Sequence, residues 1–133
     1  MTKKPQDVTE AEFAVLSYLW EQGASTTRQL AESLYPQKKG AAPTVLKLLE
    51  RLEGKGCVRR DDSGRLLTFS ATIAREDLIE YRLNAVAEDL CEGSRTPLLM
   101  HLVDTERLSP EEIEMLRQLV NELDQNPPQK NHR

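Results

Sequence analysis

The sequence predicts a mainly α-helical fold with one small β-hairpin, and three observations lead there. Apolar residues recur at helical spacing in three N-terminal segments. Two short β-like runs then flank an Asp/Ser/Gly cluster, and beyond Thr72 every periodic segment is helical again.

The first helix opens at Thr9-Glu10-Ala11-Glu12, a capping box in which the Thr9 hydroxyl and the Glu12 carboxylate satisfy free amides. Phe13, Leu16, Leu19 and Trp20 follow on one face, and Gly23 stops the helix. Ser25-Thr26-Thr27 offers a second N-cap to a short helix bearing Leu30, Ala31 and Leu34, which ends before Pro36. Residues 38–43 read as a loop. Pro43 suits the first turn of a third helix, where its missing N–H costs nothing. Val45, Leu48, Leu49 and Leu52 are that helix's buried face, and Gly54-Lys55-Gly56 closes it. Residues 57–60 and 66–70, joined by Asp61-Asp62-Ser63-Gly64-Arg65, predict the hairpin.

Helix, helix, helix, hairpin is the order of a winged helix-turn-helix. Residues 1–73 are therefore expected to be a DNA-binding domain of that type. Residues 74–126 are expected to be a three-helix dimerisation domain, and 127–133 a flexible tail. In this rear part Ile79, Leu83, Val86 and Leu90 recur along residues 76–91. Leu99, Leu102 and Val103 lie in the apolar segment 98–103. Ser109-Pro110-Glu111-Glu112 opens a last helix carrying Ile113, Leu116, Val120 and Leu123. Three short helices with this much apolar surface hold more than about 50 residues can hide alone, which predicts a homodimer. The alternative is a monomer whose rear helices fold back on the front domain.

Charged residues at 30% and apolar ones at 38% fit a soluble folded chain. No apolar run approaches the roughly 18 residues of a membrane span, and the N-terminus lacks a signal-peptide core, so a cytoplasmic address without a membrane partner is expected. The net charge of −4 is unevenly spread: residues 1–75 carry 12 Lys/Arg against 9 Asp/Glu, residues 76–133 carry 6 against 13. A basic front joined to an acidic rear is what separate binding and assembly regions produce. Cys57 and Cys91 lack zinc-ligand spacing, and His101 and His132 have no partners at ligand distance in sequence. With no phosphate loop, HExxH or nucleophile elbow, the expectation is a protein without metal, cofactor or enzymatic activity.

In such a fold the third helix enters the major groove. With Val45, Leu48, Leu49 and Leu52 inward, Thr44, Leu46, Lys47 and Arg51 point outward as candidate groove and base contacts. Arg51 has the planar fork for a guanine edge, and Leu46 the apolar surface for a thymine methyl. Thr26, Thr27 and Arg28 at a helix N-terminus, Lys55 after the third helix, and Arg59, Arg60 and Arg65 around the wing are candidate phosphate contacts. The plainer alternatives are that Glu50 and Glu53 pair with Lys47 and Arg51, that Thr26-Thr27 only caps, and that Leu46 only packs. A winged-helix interaction module that never touches DNA is the competing function, and a ligand-sensing repressor a third.

The chain also resembles the penicillinase-repressor (BlaI/MecI/CopY) family. The resemblance lies in Thr9-Glu10-Ala11-Glu12-Phe13 with Leu19-Trp20, then Ala42-Pro43-Thr44-Val45-Leu46-Lys47-Leu48-Leu49-Glu50-Arg51-Leu52 and Lys55-Gly56. It resumes in Leu108-Ser109-Pro110-Glu111-Glu112-Ile113 with Leu116. It implies a winged-helix domain and a rear domain of three helices that interlock with a second subunit. It further implies a homodimer repressing a promoter from an inverted-repeat operator with TACA/TGTA-like halves. Carried over by position, the family's DNA contacts fall on Thr44, Lys47 and Arg51. Pro43 and Leu46 depart from the polar or basic residues usual there, so a different operator is expected. The Asn-Phe bond cleaved in β-lactam-responsive members falls on His101-Leu102, and no cysteine follows Cys91 to form the CxC metal site of copper-responsive ones. No inducer and no regulatory protease is assigned.

Overall fold

The structure is a computed structural model that describes residues 7–105 and 107–126. The expected tail at 127–133, with His132, lies outside the described residues. The chain divides between Gly93 and Ser94 into two compact units.

The first unit follows the expected order: α1 (Glu10–Gln22), α2 (Thr27–Leu34), α3 (Ala42–Gly54), β1 (Val58–Asp61), β2 (Thr68–Ala71) and α4 (Arg75–Leu90). The capping box at α1 forms as the residues require, with the Glu12 amide donating to Thr9 Oγ1 (3.2 Å) and the Thr9 amide to Glu12 Oε1 (2.9 Å). Gly23 ends the helix at φ 80°, a conformation open to glycine, and its amide reaches the Leu19 carbonyl. Thr26 caps α2 in the same reciprocal way with Gln29. Ser25, expected as part of that cap, instead pairs its backbone with Phe69 of β2, through bonds of 3.0 and 2.8 Å. This bridge joins the start of α2 to the wing.

The hairpin is antiparallel, with Val58 opposite Ala71 and Asp61 opposite Thr68. Its strands start later than the residue types predict. The Cys57 amide is still bound to the Leu52 carbonyl as the last turn of α3 closes. Leu66 and Leu67 lie in the exposed connection, where an Asp61–Ser63 turn begins. The core gathers Val15, Leu16 and Leu19 of α1, Leu30 of α2, Val45, Leu49 and Leu52 of α3, and Phe69 of β2, all nearly or fully buried. Burying side chains of this size stabilises by about 1.5–3 kcal/mol each before entropy is counted.

Helix α4 packs on this unit, which is why compactness divides the chain twenty residues beyond the 73/74 boundary. Leu78 joins the core, Arg82 donates to the Val8 carbonyl, and the Arg75 guanidinium lies 4.8 Å from the Trp20 ring. The Trp20 indole donates to the Ile73 carbonyl (2.8 Å), pinning the link between wing and α4.

The second unit holds α5 (Thr96–Thr105) and α6 (Pro110–Gln125). Ser109 and Glu112 form the α6 capping box. None of this unit's described residues is buried. Among the described residues no helix is long and apolar enough to cross a membrane, and no cluster of His, Cys, Asp or Glu is placed to hold a metal.

Candidate nucleic-acid interface

The apolar stripe of α3 goes inward as its spacing demands, with Val45, Leu48, Leu49 and Leu52 buried. Thr44, Lys47, Glu50 and Arg51 are consequently exposed on the opposite side. Lys47 and Arg51, one turn apart, have no ion pair among the described residues. Glu53, offered by the sequence as a partner for them, is taken elsewhere. Both its oxygens receive hydrogen bonds from Arg60 of β1, at 2.9 and 2.8 Å. These bonds outweigh a partial desolvation and hold the Glu53 carboxyl below its ordinary value. The wing thereby draws a carboxylate off α3 and leaves the Arg51 fork available.

Helix α3 begins without a side-chain cap: Ala41 is its N-cap and Pro43 sits in the first turn. Next to it, Arg28 of α2 is exposed and pairs with Glu32 (3.1 Å) on its own helix, a contact easily exchanged in water. Arg59 and Arg65 are exposed around the wing. Arg60 is turned back, bound to Glu53 and 5.2 Å from the Phe69 ring centre.

The family profile described as penicillinase repressor matches residues 8–122. The chain belongs to the penicillinase-repressor family. Among its relatives, the penicillinase repressor of Bacillus licheniformis is 25% identical over 122 residues, spanning 92% of this chain and 94% of its own. The methicillin resistance regulatory protein MecI of Staphylococcus aureus strain N315 is 24% identical, spanning 91% and 98%. The solution structure of the DNA-binding domain of the repressor BlaI aligns with 56% of this chain and 92% of its own, at 24% identity and a TM-score of 0.48.

This penicillinase-repressor family chain is thus of the DNA-binding transcriptional repressor class. Two of the site residues expected from its sequence need correction. Lys55, expected to reach a phosphate, is buried: its ammonium donates to Glu12 Oε1 and to the Asp7 carbonyl (2.9 Å). The ion pair leaves it no access to a DNA strand. Leu46, expected to point outward, is half-buried and packs against the core. Following Val45 by about 100° of helix rotation, it sits at the edge of the buried stripe.

Thr26 spends its hydroxyl lone pair on the α2 cap, and Thr27 is half-buried beside it. Both remain at a helix N-terminus, where backbone amides favour an anion. Sequence reasoning passed over Glu12 as more than a cap, since its partner Lys55 lies 43 residues away. It also passed over Lys38 and Lys39, both exposed in the α2–α3 loop, although two adjacent lysines were the signal.

Burial of Glu12 by itself would raise its pKa. The Lys55 hydrogen bond and charge and the Thr9 amide prevail and lower it, which favours the carboxylate form. Burial pushes the nearby Cys57 thiol up, away from the reactive thiolate.

Proposed function

We propose that this protein acts as a cytoplasmic homodimeric repressor that places α3 in the major groove of an inverted-repeat operator. Thr44, Lys47 and Arg51 read the groove, Arg51 by its fork and Lys47 as a point charge. Thr26, Thr27, Arg28, Arg59 and Arg65 hold the flanking backbone and set register without reading sequence, while Arg60, also expected there, is engaged by Glu53. The observation that carries this reading is the exposed Lys47–Arg51 stripe, which has no ion pair among the described residues while Glu53 is bound to Arg60. Repression follows from occupancy of a promoter, with no chemistry performed on the DNA.

Pairing rests on the rear helices. Ile79, Leu83, Val86 and Leu90 of α4 are exposed, Leu90 to 79%. So are Leu99, Leu102 and Val103 of α5, and Ile113, Leu116, Val120 and Leu123 of α6. A helical pair with no buried residue among those described lacks a core of its own there, and a second copy supplies the missing apolar surface. Assigning α4 to assembly, although it packs on the first unit, belongs to the same reading.

Selection of bound duplexes from a random pool tests the reading. Enrichment of a palindrome with half-sites about one helical turn apart, bound less tightly as salt rises, is the expected result. Failure to bind any duplex, or binding indifferent to salt, would favour a protein-interaction module instead.

A further inference from the structure

The wing is a weak electrostatic anchor in this chain. Its three arginines share the hairpin with Asp61 and Asp62. Asp61 is held ionised by the Ser63 hydroxyl and amide, and Arg60 is bound to Glu53. On the other side of α3 the balance reverses. The loop between Tyr35 and Ala41 carries Lys38 and Lys39 and no acidic residue. Both lysines are exposed and, among the described residues, neither has an ion pair or side-chain hydrogen bond. The loop is held in shape by the Lys38 amide bonding the Tyr35 carbonyl (3.1 Å) and by Gly40 at φ 74°.

Lys38 and Lys39 line one open concavity of about 390 Å³ with Arg28 and Glu32 of α2, Tyr35 that caps it, and Ala42 of α3. The only carboxylate there, Glu32, already pairs with Arg28. The two lysines are therefore the uncompensated charge of this surface, and it adjoins the N-terminal turn of α3 that presents Thr44.

We propose that the Lys38–Lys39 loop is a second backbone anchor, binding two DNA phosphates beside the groove that α3 enters. The inference rests on the DNA-binding reading above and adds residues to it. Ammonium groups on flexible stems suit phosphates as point charges and carry no sequence information. The anchoring of this repressor is accordingly shifted from the wing toward the α2–α3 loop.

The test is the salt dependence of binding by Lys38→Gln/Lys39→Gln, measured on a duplex selected from a random pool and on a scrambled duplex. Losing two phosphate contacts per subunit, four per operator-bound dimer, should flatten the slope of log affinity against log salt by about 3.6 on the selected duplex. Affinity should fall by a similar factor on both duplexes. Arg117→Gln, which removes an exposed cation of α6 paired with Glu114, serves as the charge control and should leave the slope unchanged. An unchanged slope in the double lysine variant would overturn the anchor while leaving the DNA-binding reading intact. So would a loss confined to the selected duplex, which would make the lysines base readers. Absence of binding by the unaltered protein to any duplex would overturn both. Circular dichroism of the variants checks that folding is unaltered, as expected for exposed loop positions.

Discussion

Lys55, the C-terminal cap of α3, lies buried against Glu12 in the first turn of α1, the two side chains 3% and 1% exposed. The pair fastens the end of the reading helix to the helix behind it, and the Asp7 carbonyl completes the ammonium's shell. Glu12 Oε2 has no hydrogen-bond partner, so the carboxylate depends on Lys55 for its compensation.

Breaking this pair on one side should be costly. Lys55→Met leaves an uncompensated buried carboxylate and should destabilise the fold by about 3–5 kcal/mol. Glu12→Leu combined with Lys55→Met should recover most of that loss. Urea unfolding followed by circular dichroism measures both, and a single-variant loss below about 1 kcal/mol would mean that the ammonium finds another partner.

The same pair sets an acid limit. The folded pKa of Glu12 is lowered from 4.5, so its contribution is fully present above the unfolded value. It is lost as pH falls from there through the folded value. Stability should drop on acidification below about pH 4.5, and Glu12→Gln should flatten that limb. An equally steep limb in the variant would place the acid sensitivity on other carboxylates.

Arg51→Ala should weaken binding to the selected operator by about 1–3 kcal/mol and relax preference at one base position. Arg28→Ala should weaken all duplexes alike. Competition binding separates the two behaviours, and an operator-only loss for Arg28→Ala would contradict a phosphate contact.

Assembly is tested by mass. Light scattering at micromolar concentration should give twice the chain mass, and Val120→Glu on the exposed face of α6 should shift it toward one. A monomer in the unaltered protein would exclude the dimer.

The two thiols should separate kinetically. Cys57 is fully buried with its pKa raised by desolvation, whereas Cys91 is half-buried at the end of α4. A thiol reagent should titrate one cysteine rapidly in the folded protein and both in urea. Fast double labelling without denaturant would reveal frequent opening around Cys57.

What could be read from the sequence was local. The capping boxes at Thr9 and Ser109, the N-cap near Thr26 and the inward stripe of α3 depend on residues three or four apart, and spacing alone reveals them. The exposed positions of Thr44, Lys47 and Arg51 follow from the same periodicity. What escaped was non-local. Nothing near Lys55 announces that it meets Glu12, nothing near Glu53 announces Arg60, and nothing near Ser25 announces Phe69. Each pairing joins separate segments of the chain, so it exists only in the packed fold. Leu46 escaped for a subtler reason, because a spacing template marks the centre of a buried stripe and not its width.

Trp20 is the only tryptophan in the chain, and its indole is tied to the Ile73 carbonyl with the Arg75 guanidinium over its ring. The protein therefore carries a built-in optical probe at the junction between wing and α4. Any operator or inducing signal that tilts α4 against the wing must loosen that bond or move that cation. The motion would be visible as a shift in emission, without a label and without knowing the signal in advance.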